Sequence, residues 1–187
     1  MAEETFKDKF YAAIDAAKAT DEEMAREFKE GDGRWGETKL GEDSPTGKPK
    51  IYINHNKFKR NPETGKDYEQ EMLIGEGIHL IKDFDPQRAE RLYRTAISDP
   101  GVLSWLREGY DLEVIRNDRI PDNQKRSFEN YVRYSRLDQI IGHYLLGNKN
   151  SSVPTNRRFP VQKFVDAGRY GTKFKDELDR LKTDLGL

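Results

Sequence analysis

Apolar residues near the start of the chain, Phe6, Phe10, Ala13, Ile14 and Ala17, recur at spacings of four and three, so they share one stripe of a helix. Thr20-Asp21-Glu22-Glu23 places a hydroxyl three residues ahead of a carboxylate, the form of a capping box, and predicts a second short helix that fades near Gly31. From Gly31 to Lys50 the periodicity is lost to Gly, Pro, Ser, Thr and charge, which predicts a loop or hinge. Lys50-Ile51-Tyr52-Ile53-Asn54 is β-branched and aromatic and predicts a short strand or hairpin, with turn chemistry after it at Asn61-Pro62-Glu63-Thr64-Gly65. Tyr68 to Lys82 has helix-forming residues and no proline, and Asp85-Pro86 and Asp99-Pro100 each set a cap ahead of a proline suited to a first helical turn. Three helices are therefore expected between 67 and 110. A longer one opens at Pro121-Asp122, carries Phe128, Tyr131, Val132, Ile140, Ile141, Tyr144 and Leu145, and has Gly147 as its stop. Residues 148–159 read as loop, and two last helices are expected near 160–168 and 172–185.

The pattern predicts a mainly α fold with a minor β element, a compact multi-helix domain with one short strand or hairpin. Residues 1–49 read as an N-terminal helical arm and hinge loop, and 50–187 as the main helical domain. There is no internal repeat and no heptad array, which excludes solenoids and coiled coils.

Composition narrows the setting. A chain of 187 residues can bury most of its apolar surface in one core, but with 34 % hydrophobic and 36 % charged residues that core is economical and the surface densely charged. No run approaches the roughly 18 apolar residues that cross a bilayer, and Met1-Ala2-Glu3-Glu4 is acidic where a signal peptide would be basic. No membrane association and a cytoplasmic setting are expected. Without cysteine there is no disulfide, thiolate zinc site or cysteine nucleophile, so any metal site must be built from His, Asp and Glu.

Within that set, the helix after the strand carries Gly75-Glu76-Gly77-Ile78-His79. Histidines four apart on a helix reach one zinc ion, and a glutamate between them activates the metal-bound water. The strand, polar turn and helix resemble a degenerate zincin, a metallopeptidase-like domain of the kind found in bacterial and phage genomes, over about residues 50–83. The resemblance implies Glu76 at the general-base position and His79 at the second zinc-ligand position. Gly75 stands where the first ligand would be and cannot bind metal. A substitute would have to come from His143, on the predicted 122–146 helix, or from His55, with Glu129 or Asp138 as oxygen donors. The alternative is a helix whose polar side holds Glu69, Glu76, His79 and Asp83 while Leu73, Ile74, Ile78 and Ile81 are buried. Each of Gly75 and Gly77 costs a helix about 1 kcal/mol against alanine, so the pair points to close approach by another backbone.

Charge adds a second candidate. The net charge is −1, yet residues 116–169 hold 11 basic and 5 acidic side chains. Arg157, Arg158, Lys163 and Arg169, set among Phe159, Phe164 and Tyr170, make a candidate anion or nucleic-acid surface. The alternative is a solvated helical face. Asp83, Asp85, Glu90 and Asp99 could be read as a Mg²⁺ cluster, but two of them are explained as caps. Tyr131, Tyr134 and Tyr144 read as a core or interface stripe. No nucleophile elbow or phosphate loop is present. The expectation is a non-catalytic zincin-like protein that binds a protein partner or larger assembly, cytoplasmic or virion-associated, with no cofactor. The alternatives are a zinc-dependent hydrolase using Glu76 and His79, and an anion or nucleic-acid binding module at 116–169.

Overall fold

The computed structural model describes residues 3–56, 68–146 and 161–187. Helix α1 (Phe6–Ala17) buries Phe10, Ile14 and Ala17, and its capping box pairs Thr5 with Asp8. Helix α2 (Asp21–Glu27) opens with the expected box of Thr20 and Glu23. Strands β1 (Gly36–Lys39) and β2 (Lys50–Ile53) follow, then α3 (Tyr68–Gly77), a 3₁₀ turn at Ile78–Leu80, and α4 (Ile81–Phe84). Helices α5 (Pro86–Ser98) and α6 (Pro100–Tyr110) start at caps Asp85 and Asp99. A π-helical turn at Asp111–Ile115 extends α6. Helix α7 (Phe128–Tyr131), a second π-helical turn at Val132–Arg136 and α8 (Leu137–Leu146) run on without a break, and α9 (Val161–Asp166) and α10 (Thr172–Leu185) complete the described residues. The fold is mainly α with a minor β element.

Three expectations change. The segment expected as a loop at 31–50 contains β1, which pairs antiparallel with β2 in the register Gly36↔Ile53, Glu37↔Tyr52, Thr38↔Ile51 and Lys39↔Lys50. Gly-Glu-Thr-Lys has little strand character of its own and is recruited by its neighbour. The long helix begins at Phe128, not Pro121, because Ser127 accepts from the Asn130 N–H at 3.2 Å and caps it there. The expected boundary after residue 49 is also not a break in packing: Phe10, Ile14, Met24 and Phe28 belong to the same core as Ile51, Ile78, Ile140 and Leu178. Gly147, the 148–159 loop and the Asn61–Gly65 turn lie outside the described residues.

The glycines of the candidate motif have different neighbours. A Cβ added at Gly77 would lie 2.6 Å from Ile14 Cδ1 and 3.0 Å from Phe10 Cζ, so α1 packs directly on the α3 backbone. A Cβ at Gly75 would meet nothing within 4 Å, while one at Gly142 of α8 would lie 3.9 Å from Gly75 Cα. Helix α3 is thus approached closely from two sides, by α1 and α8.

The second π-helical turn carries Arg136, whose guanidinium pairs with Glu113 from the first; both side chains are buried, and the Tyr131 hydroxyl donates to the same carboxylate at 2.8 Å. The expected tyrosine stripe therefore divides: Tyr131 is core, Tyr134 is exposed, and Tyr144 donates its hydroxyl to Asp179 of α10.

Gly77→Ala is expected to destabilise the fold by about 1–3 kcal/mol through overpacking, whereas Gly75→Ala should be neutral or stabilise by up to ~1 kcal/mol; equilibrium urea unfolding of the two variants measures the contrast. In the same assay Glu113→Gln should cost about 3–5 kcal/mol, because it strands a buried guanidinium.

Candidate functional site

Glu76 lies in the last turn of α3 and His79 in the 3₁₀ turn that follows. Positions three apart eclipse in a 3₁₀ geometry, and here the glutamate Oε2 and the imidazole Nε2 are 4.0 Å apart. This is ion-pair contact, too long for a hydrogen bond.

Strand β1 covers the glutamate from one side. The Thr38 hydroxyl donates to Glu76 Oε2 at 2.5 Å. Gly36 leaves room for that approach, since a Cβ there would sit 3.2 Å from Glu76 Oε1 and 2.9 Å from Met72 Cε. Helix α8 closes the other side, where Asp138 Oδ2 is 2.6 Å from His79 Nδ1. A continuous polar line, Thr38–Glu76–His79–Asp138, thereby ties β1, α3 and α8 together inside an otherwise apolar contact.

Burial sets the electrostatics of the line. It pushes the Glu76 carboxyl above its ordinary value, with the His79 charge and the Thr38 hydrogen bond partly offsetting and the Asp138 charge adding to the rise. Burial also works against the His79 imidazolium, but the charge and hydrogen bond of Asp138, joined by the charge of Glu76, outweigh it and hold the group above its ordinary 6.5. The imidazole is thus built to keep its proton, donating from Nδ1 to Asp138.

Helix α8 packs against α3 and the turn after it, and it presents Asp138 to the imidazole Nδ1. His143 is buried five residues further along α8. His55 lies 3.7 Å from Glu69, which also pairs with Lys18 at 2.6 Å, ten residues ahead of His79 and about 15 Å away at 1.5 Å per residue. Glu129 is taken by Arg133 at 2.7 Å. Among the described residues no group of three His, Asp or Glu side chains is placed to hold a metal ion. A catalytic zinc needs three protein ligands, and this donor set does not fit it.

Thr38 and Lys82 escaped the sequence reading. Thr38 sits in the segment expected as loop, and Lys82 looks like any solvent-facing lysine until Tyr134 is found beneath it, 4.3 Å from the ammonium to the ring centroid. Asp138 was legible only as one of two possible oxygen donors, beside Glu129.

Part of the basic region resolves into pairs. Arg116 binds Asp111, Lys125 binds Asp122 and Arg133 binds Glu90 and Glu129, each at 2.7 Å, and Arg136 binds Glu113. Three of those carboxylates, at 90, 111 and 113, lie outside 116–169, so the excess counted along the chain is partly cancelled in space. Lys163 and Arg169 are exposed, and Arg157 and Arg158 lie outside the described residues. Asp85 accepts from the Arg88 N–H at 3.0 Å; Asp99 caps α6 and also accepts from the Gly171 N–H at the head of α10. Both act as caps.

No family model, curated protein or solved structure matches this chain.

A raised folded-state pKa means the folded protein holds its proton more tightly than the unfolded chain does. The stabilisation from His79 is then full below its ordinary value and is lost as pH rises through the folded value. The raised Glu76 works in the same direction from its own lower ordinary value. Asp138→Asn is expected to lower the His79 titration midpoint in an imidazole NMR titration, and to flatten the fall in urea stability as pH rises above the ordinary imidazole value. An unchanged midpoint would show that Asp138 does not hold the proton.

Proposed function

We propose that this chain is a non-catalytic, zincin-like protein that works by binding, as a cytoplasmic or virion-associated component of a larger assembly. The observation that carries this reading is the enclosure of His79 between two carboxylates. Asp138 occupies Nδ1, Glu76 faces Nε2, and Glu76 in turn accepts from Thr38, so the groups that would perform hydrolysis in a zincin are spent on holding β1, α3 and α8 together. A base that activates water must reach that water, and a ligand must offer a lone pair to the metal. Large apolar side chains left on the surface, Tyr134, Ile115 and Leu187, support a role in contact with another molecule. The basic region is a weaker basis for nucleic-acid binding, because half of its described arginines, Arg116, Arg133 and Arg136, already have carboxylate partners. No helix among the described residues is long and apolar enough to cross a membrane.

The test is metal analysis joined to a peptidase assay. After equilibration with zinc and dialysis, the purified protein should retain well below one zinc per chain, show the same melting temperature with and without chelator, and leave a casein-derived peptide mixture intact. Stoichiometric zinc together with hydrolysis that Glu76→Gln removes would replace this reading with a metallohydrolase.

A further inference from the structure

Beside the polar line, and separate from its role as a clasp, α4, α5 and α8 enclose a cavity of about 90 Å³. Its walls are the buried side chains of Ile78, Ile81, Leu92, Leu137 and Ile141. Its polar groups are few and unequal. His79 and Asp138 reach it but neutralise one another at 2.6 Å. Arg133 reaches it with its guanidinium held by Glu90 and Glu129 and stacked 3.6 Å from the Tyr93 ring centroid. Lys82 differs from both. Its half-buried ammonium lies over the Tyr134 ring and, among the described residues, makes no hydrogen bond and no ion pair. We propose that this cavity is a binding site for a small monocarboxylic acid, with the carboxylate on the Lys82 ammonium and a short hydrocarbon tail among the isoleucines and leucines.

The chemistry of the walls selects that class. An ammonium has three donors, and leaving them unmet at the edge of an apolar cavity is unfavourable unless an anion arrives. Burial lowers the Lys82 pKa, with the Asp138 and Asp83 charges offsetting this only in part, so a bound carboxylate has charge to compensate. Cations are disfavoured by Lys82 itself and have no free carboxylate to meet. A fully polar anion such as phosphate would leave the apolar walls unused. Size limits the tail: counted as space open to the centre of a water, at ~10–15 Å³ each, 90 Å³ holds roughly six to nine waters, room for a four- or five-carbon acid. Tyr134, exposed beneath the ammonium, forms the lip of the opening.

Butyrate and isobutyrate are the probes, and butylammonium chloride, matched in size and opposite in charge, is the control. Titration of isoleucine-methyl-labelled protein by two-dimensional NMR should show saturable shifts for Ile78, Ile81 and Ile141 with either acid at millimolar concentration, and none with butylammonium. Lys82→Met keeps most of the stem and removes the charge, and it should weaken butyrate binding by about tenfold or more. Equal shifts with acid and amine, no saturation with butyrate, or undiminished affinity in Lys82→Met would overturn the proposal. If that variant does not fold, the acid-against-amine comparison on the wild-type chain decides by itself. A failed titration leaves the zinc result untouched, because the two experiments read different groups.

Discussion

Contact between α1 and the backbone of α3 at Gly77 is the constraint on which the arrangement rests. With Ile14 and Phe10 lying where a side chain would begin, α3 has only one way to sit on α1. That fixes the rotation of α3 about its axis, and the rotation directs Glu76 toward β1 and His79, in the tightened turn just after it, toward α8. Glycine at this position forfeits helix propensity of about 1 kcal/mol, which the packed α1 interface offsets. The approach of α8 at Gly142 is the complementary contact, and it brings Asp138 within hydrogen-bonding reach of the imidazole.

The polar line is selective more than it is stabilising. Two carboxylates and an imidazole taken from water lose hydration that their mutual attraction only partly returns, so apolar residues of equal volume could hold the helices together as well. What the charges add is register. An apolar contact tolerates a helix sliding by part of a turn, whereas Asp138 meets Nδ1 in one position only. The pair of Arg136 and Glu113 does the same for the two π-helical turns, each of which inserts an extra residue and shifts the face that follows. Without the Arg136 shift, Asp138 would leave the helix on a different side.

Much of this fold was legible because it is written in local chemistry. Thr20 with Glu23, Asp85 before Pro86 and Asp99 before Pro100 are caps that act within a few residues, and the stripe of Phe10, Ile14 and Ala17 needs only a period. Strand β1 was hidden because its pairing is a property of β2 and of the room left by Gly36, and neither is visible in Gly-Glu-Thr-Lys. The start at Ser127 was hidden because Pro121-Asp122 is an equally good opening until the chain between them is seen to take a 3₁₀ turn instead. At the candidate site, Glu76 and His79 were visible through their spacing, and the glycines announced close approach. Asp138 was visible only beside Glu129 as a possible oxygen donor, since its role depends on helix rotation across a long-range contact.

The same helix could serve a metal or a proton, and the number of carboxylates against the number of imidazoles decides between them. A zinc ion competes with protons for histidine, and it wins where several neutral nitrogens converge so that their combined affinity exceeds the cost of deprotonation. Around His79 the converging groups are anionic oxygens, one at each ring nitrogen, and an anion beside imidazole strengthens its hold on the proton. A lone imidazole flanked in this way keeps its charge, and the charge in turn keeps Glu76 and Asp138 in place. Position 75 holds a glycine and offers no second imidazole, and Asp138 fills the space around His79 with a group that tips the balance further toward the proton.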